Sequence, residues 1–246
     1  VDNDLLLAEK KHLTEVCENA ETKTLSTLLY LPVLKDSFLN QSGNISQAVN
    51  VFTSGSDKYY SLLEIRKAYP NGVPLEHAAW MFNRVLQALE APHFLGIIHG
   101  AILPQNVIIN PATHQGVLVN WDFSVKAGAS IKAISKDPLQ RSWYPREVFD
   151  KGPAFTGTDL YMAANLFIYL CGGSIGMGTF PDGWEKSNGA TAQSGYRKVR
   201  GLINACRLPA TKRLFSVHEL YDDFKEALAE IFGKPVFREF TMPKNP

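Results

Sequence analysis

Between His99 and Ser124 the chain reads HGAILPQNVIINPATHQGVLVNWDFS, and its chemistry-bearing residues are few and regularly placed. His99 heads a tight His-Gly loop. Asn106 stands directly before the apolar run Val107-Ile108-Ile109, and Asp122 follows a second apolar run, Val117 to Val119. An amide oxygen and a carboxylate are hard-cation ligands of the kind magnesium takes. The same two side chains can instead bond the loop backbone (Asn106) or cap the exit of a hairpin (Asp122). His99 can move protons or simply pin its loop. His12, His93, His114 and His218 show no metal-ligand spacing.

The elements that must position these residues follow from periodicity. Leu6, Ala8, Leu13 and Val16 recur at helical spacing, which predicts an amphipathic helix over Leu5–Cys17 that carries Glu9. Glu9 is then either a surface acid or a group with a partner. "TLLYLPVLKDSFL" and "QAVNVFTS" read as two strands around a turn at 40–44. "YYSLLEIRKAYPNG" reads as a short helix, and Pro74 opens a longer one that runs to about His93. Val107–Ile109 and Val117–Val119 form a hairpin across "NPATHQG". Ser124 to Tyr144 has no period and reads as a surface loop. Asp159–Leu170 is apolar almost all round, so it belongs in the middle of a core. A glycine-rich loop from Ser174 to Gly195 precedes the amphipathic helix "YRKVRGLINACRL". Ser216 and Glu219 suggest a capping box for a last helix over Val217–Phe232. Trp80 reads as core packing. The fold class is α+β.

Composition narrows the function classes. With 246 residues and 27.3 kDa, the chain can bury a sizeable core. Its formal net charge of +1 gives no general electrostatic attraction for nucleic acid or anionic membrane. No apolar run approaches the roughly 20 residues that span a bilayer. The first residues, Val1-Asp2-Asn3-Asp4, do not resemble a signal peptide and suggest a piece of something longer. Cys17, Cys171 and Cys206 are odd in number and lack C-x-x-C spacing, so a reduced, cytoplasmic protein is expected.

Taken in order, the motifs resemble those of the protein-kinase-like superfamily over most of the chain, from helix C of the small lobe to the end of the large lobe. His99-Gly100-Ala101 through Asn106 is similar to H-[RG]-D-x-x-x-x-N, and Asp122-Phe123-Ser124 to D-F-G. Pro145-Arg146-Glu147 resembles A-P-E, and Thr158-Asp159-Leu160-Tyr161 resembles S-D-x-[YW]. Arg213 resembles the arginine before the last helix. The Trp121-Asp122 pair is also similar to small-molecule kinases of the aminoglycoside and choline type, but Pro145–Glu147 and Arg213 point to the protein-kinase branch.

The resemblance implies a reduced N-lobe over 1–54 (helix C and short strands) and a mainly helical C-lobe over 55–246 with a catalytic-loop hairpin. It implies that Asn106 and Asp122 would hold magnesium and that Glu9 would pair with a strand lysine. It also implies that Glu147 and Arg213 form a buried ion pair and that Asp159 accepts N–H bonds from the His99 loop. The base position, however, is Ala101, and a methyl group cannot accept a proton. No G-x-G-x-x-G loop and no V-A-I-K strand lysine occur in the sequence. Those elements are expected upstream of Val1, if anywhere. The expectation is a catalytically inactive, pseudokinase-like binding or regulatory module whose partner is another protein, with no cofactor. The alternative is an unconventional ATP- and magnesium-dependent phosphotransferase.

Overall fold

The computed structural model describes residues 3–19, 21–22, 26–42, 45–53, 58–132, 134, 141–185 and 189–243. The architecture is α+β. Helix α1 (Asn3–Glu18) leads through a 3-10 turn (Ser26–Tyr30) to an antiparallel hairpin, β1 (Leu34–Ser42) and β2 (Ile45–Phe52). The expected first strand therefore begins later than "TLLYLPVLKDSFL" implied. Its opening Ser26–Tyr30 coils into a 3-10 turn that packs on helix α3 (Leu75–Phe94). Residues 43 and 44 of the expected turn, and the expected lobe boundary at 54–55, lie outside the described residues.

Strand β3 (Tyr60–Ser61) runs straight into α2 (Leu62–Ala68). Ser61 Oγ accepts from Glu64 N, and the Glu64 carboxylate accepts from Ser61 N, a complete capping box. Pro74 caps α3 rather than opening it. Strand β4 (Ile97–Ile98) follows, then the hairpin β5 (Val107–Asn110) and β6 (Gln115–Leu118). Pairing of β3 with β5 makes a three-stranded sheet in the order β3-β5-β6.

The stretch Ser124–Tyr144 is more structured than its aperiodic sequence suggested. Strand β7 (Val125–Lys126) pairs antiparallel with β4. Ile131, Trp143 and Tyr144 are buried, so this segment is pinned by a few large side chains rather than by a repeating face. Residues 133 and 135–140 lie outside the described set. A short helix α4 (Arg146–Phe149) precedes α5 (Thr156–Leu170), which is buried along nearly its whole length. Helix α6 (Ala190–Cys206) starts six residues before "YRKVRG", so the end of the expected glycine-rich loop is helical. Within α6, Gly195 lets the backbone approach α7 (Val217–Phe232). A Cβ there would sit 2.6 Å from the Ala227 carbonyl oxygen. In α7, Ser216 Oγ accepts from Glu219 N as expected of a cap.

The core is knit by aromatic rings from three helices. Phe82 of α3, Phe167 of α5 and Phe224 of α7 meet at centroid distances of 5.0, 5.0 and 5.3 Å, in tilted or edge-on geometry. Beyond its first turn, helix α5 carries one buried polar residue, Asn165. Asn165 donates to the Trp143 carbonyl (3.1 Å) and accepts from Arg207 Nε (2.8 Å), so both ends of its amide are satisfied. Cys171 and Cys206 are buried, whereas Cys17 is exposed. Among the described residues no helix is long and apolar enough to cross a membrane.

Glu147 of α4 meets Arg213, which stands before α7. Arg213 Nη2 donates to Glu147 Oε2 (3.2 Å) and Nη1 to Oε1, while Nε donates to the Leu208 carbonyl (2.9 Å). Glu147 Oε1 also accepts from Thr158 Oγ1 (3.2 Å). The Arg213 side chain is only 3% exposed, so removing it leaves a largely buried carboxylate without its counter-charge. We predict that Arg213→Ala costs about 3–5 kcal/mol in chemical denaturation. The exposed i,i+4 pair Arg146–Asp150 supplies the control, and Arg146→Ala should cost within about 0.5 kcal/mol. Equal losses would contradict the assignment of Glu147–Arg213 as a structural clamp.

Candidate functional site

The site is built around a carboxylate. Asp159, in the first turn of buried α5, is inaccessible to solvent. Its Oδ2 accepts from His99 N (2.8 Å) and His93 Nε2 (2.9 Å), and its Oδ1 accepts from Gly100 N (2.9 Å). A buried carboxylate needs such donors to offset its desolvation. Here they come from the loop itself and from the end of α3. Gly100 has a φ of 75°, and a Cβ at this position would lie 2.9 Å from the Phe123 carbonyl oxygen. Glycine is what lets the loop turn and still press against the Asp122 turn.

His99 is completely buried. Its Nδ1 accepts from Ala101 N (3.1 Å) and its Nε2 donates to the Val119 carbonyl (3.1 Å). Both ring nitrogens are thus engaged in holding the loop to the hairpin, and the ring sits edge-on to Trp121 at 4.5 Å. Burial pushes its pKa down to about 4, partly opposed by the Asp159 charge. The imidazole is therefore neutral at physiological pH and acts as a pin. Ala101 is buried beside it, and its carbonyl accepts from Asn106 Nδ2 (2.9 Å). Asn106 Oδ1 in turn accepts from Asn120 Nδ2 (3.3 Å). The Asn106 amide is thereby spent on the loop and the hairpin exit.

Asn120 takes a left-handed conformation (φ 68°), which asparagine tolerates, and turns the chain into the 3-10 turn Trp121–Phe123. Helix α1 lies against this turn. Glu9 Oε1 accepts from Trp121 N (3.0 Å), and Oε2 accepts from Asn50 Nδ2 of β2 (2.8 Å). Glu9 is therefore buried rather than on a solvated face. Among the described residues both its oxygens take neutral donors and no ion pair engages it. One turn on, His12 Nδ1 donates to Ser124 Oγ (2.7 Å), which itself donates to the Trp121 carbonyl. Farther along, Glu15 pairs with Lys126.

Asp122 is bonded less completely than its neighbours Glu9, His99 and Asn106. Its Oδ1 is buried and finds no hydrogen-bond partner among the described residues. Burial, and next to it the charge of Glu9, push its pKa up to about 6. The structure thus brings Glu9, His99, Ala101, Asn106, Asp122 and Asp159 into one assembly, and places Glu147 and Arg213 apart from it as a clamp. Asp122 and Asn106 offer oxygen ligands of the type magnesium takes, but no group of three or more His, Cys, Asp or Glu side chains suited to a metal occurs among the described residues.

Several residues of the assembly have little sequence signal. His12 was legible in principle, as a polar residue on the same helical stripe as Glu9, Leu13 and Val16. Asn50, Asn120 and His93 carry none, because their roles depend on tertiary neighbours.

The Asp122 shift has a definite sign. The folded-state pKa lies above the ordinary value of 3.8, so between about 4 and 6 the native state keeps a proton that the unfolded chain has lost. Stability from this group falls as pH rises through that window, and above it the ionised acid is a constant cost. We predict that Asp122→Asn stabilises the protein at pH 7 by about 1 kcal/mol, discounted for its partial exposure, and that the gain vanishes near pH 4. Urea denaturation of both proteins at the two pH values checks this.

In comparison with known proteins, no family model matches the chain and no curated protein is significantly similar to it.

Proposed function

We propose that this chain is a catalytically inactive protein-kinase-like domain, a pseudokinase, that works as a binding or regulatory module for another protein. The observation that carries this reading is Ala101. It occupies the position where kinase-type transfer needs a carboxylate beside the substrate hydroxyl. Its own main-chain N–H and carbonyl are fastened into the loop frame by His99 and Asn106. General-base terms supply roughly 10²–10⁴-fold in rate, and a buried methyl group supplies none. The bonding of Glu9 supports the same reading. On this reading α1 plays the part of helix C, yet its Glu9 is engaged by Trp121 N of the turn and by Asn50 of β2 rather than by a phosphate-binding lysine. Scaffold contacts are kept where the chemistry is lost.

Phosphate transfer from ATP to a generic protein substrate should stay at background, measured by radiolabel incorporation. Ala101→Asp should not restore it, because the restored acid would still lack a lysine and a phosphate cradle within this sequence. Transfer by the unmodified chain that Asp122→Ala abolishes would overturn the reading.

One observation favours the phosphotransferase alternative. Among the described residues Asp122 Oδ1 is buried without a partner, and a divalent cation would satisfy it and lower its raised pKa. Asp122 and, after release of Asn120, Asn106 would hold the ion, which would neutralise charge on phosphate oxygens. The two readings separate in a thermal-shift titration. The pseudokinase reading expects no shift with magnesium and ATP at about millimolar concentration. A rise of several degrees that Asp122→Asn removes would favour the alternative.

A further inference from the structure

Away from the His99–Asp122 assembly, the chain beyond α7 runs back over α3 as an irregular strap. It begins at Gly233, where α7 ends at a φ of 75°. Among the described residues, positions 234–243 form no regular element and make no backbone–backbone hydrogen bond. The strap is held by side chains, and most of these are rings. Phe240 is buried against Tyr69 (5.4 Å) and His77 (5.0 Å), with Trp80 edge-on at 6.2 Å. Phe237 stacks on His114 of the β5–β6 turn (4.3 Å), and His114 stacks on Trp80 (4.0 Å). Polar contacts add to this. Tyr69 Oη donates to the Thr241 carbonyl (2.5 Å), and the His114 ring is hydrogen-bonded to the Arg238 backbone.

The two imidazoles under the strap fit it only when neutral. His77 Nδ1 accepts from Trp80 Nε1 (3.3 Å), which requires an unprotonated Nδ1. Protonation would set N–H against N–H and place a cation within reach of Arg238 on the strap. His114 is buried, and its charged form would meet Arg84 of α3 as well as His77. The other charged groups of this cleft balance, with Asp222 and Glu226 of α7 against Lys225 of α7 and Lys234 of the strap. Trp80 would offer an imidazolium a cation–π contact, but lost hydration and the flanking arginine oppose it.

Burial is the main reason that both pKa values lie below the ordinary 6.5. Arg238 adds to it at His77, and His77 and Arg84 add to it at His114. Glu76 beside His77 and the Arg238 backbone bond of His114 act the other way and are outweighed. Lifting the strap returns water to both rings and takes Arg238 away from His77. A docked state that lowers these pKa values binds fewer protons than the open one. Docking is therefore complete above about pH 6.5 and weakens as pH falls below it.

We propose that His77 and His114 form a pH-sensitive latch, which keeps the 234–242 strap on α3 while both rings are neutral and releases it when they take up protons.

NMR on the whole chain tests this, with histidine ring signals reporting protonation and backbone-amide relaxation reporting strap order. At about pH 7.5 the strap amides should be as ordered as those of α3. At about pH 5.5 they should lose that order, while the amides of α3 and α7 stay unchanged. The loss should share its midpoint with the titration of His77 and His114, below 6.5. The double variant His77→Gln, His114→Gln carries no titrating group there, and the Gln amides can still accept hydrogen bonds. Its strap should keep the same order at both pH values. Strap order unchanged between the two pH values in the wild-type chain would overturn the proposal. So would His77 and His114 titrating at or above 6.5, or an acid release that persists in the double variant. The wild-type titration decides the matter however the variant packs. Because Asp122 and the His99 loop take no part, these outcomes are independent of the proposed pseudokinase function.

Discussion

A carboxylate with no access to water sets the geometry on which the assembly depends. Asp159 is held in α5, a helix whose neighbours on nearly every side are core residues, so packing fixes its position. Its oxygens then need donors, and the available ones are His99 N, Gly100 N and His93 Nε2. Satisfying the acid therefore docks the His99 loop onto the core and ties the end of α3 to the start of α5. Loss of any one donor would leave part of a buried charge unsatisfied, so the three contacts stand or fall together. The hairpin β5–β6 is oriented by the same event, because His99 reaches from the docked loop to the Val119 carbonyl.

A second constraint acts from the opposite side. Glu9, His12 and Glu15 lie at i, i+3 and i+6 on α1 and meet Trp121 N, Ser124 Oγ and Lys126 in chain order. A helix face thus reads a turn residue by residue. The Trp121–Ser124 turn is clamped between α1 and the docked loop, which Gly100 allows to approach the Phe123 carbonyl. On the proposed reading the equivalent of helix C is bonded directly to the D-F-G-like turn, which suits a module that presents one fixed surface to a partner.

Periodic elements were the most legible in the sequence. The long helix after Pro74, the buried helix containing Asp159 and the last helix after Ser216 all announce themselves by apolar spacing and caps, and the hairpin by two short apolar runs around a turn. What escaped was structure that depends on single side chains. Strand β7 has only two residues and forms because it meets β4. Trp143 anchors an aperiodic stretch through one carbonyl taken up by Asn165, itself an apparent misfit in an apolar helix. Ser26–Tyr30 looks β-prone yet coils, because packing on α3 overrides its local preference. In the site, Asp159 was legible through its motif, whereas Asn50 as the partner of Glu9 was not, since no local rule links a strand asparagine to a helix acid 41 residues away.

On the proposed reading, Asp122 and Ala101 carry different weight. The turn that carries Asp122 is over-determined by its neighbours: Glu9 holds Trp121 N, Ser124 caps the Trp121 carbonyl, and Asn120 braces Asn106. These contacts do not involve the Asp122 carboxylate, so they hold the turn without it. Ala101 is different. Its main-chain N–H and carbonyl are fixed by His99 and Asn106, and its methyl group is buried. On the proposed reading the loop frame is held through its main chain, with a methyl group where catalysis would demand an acid.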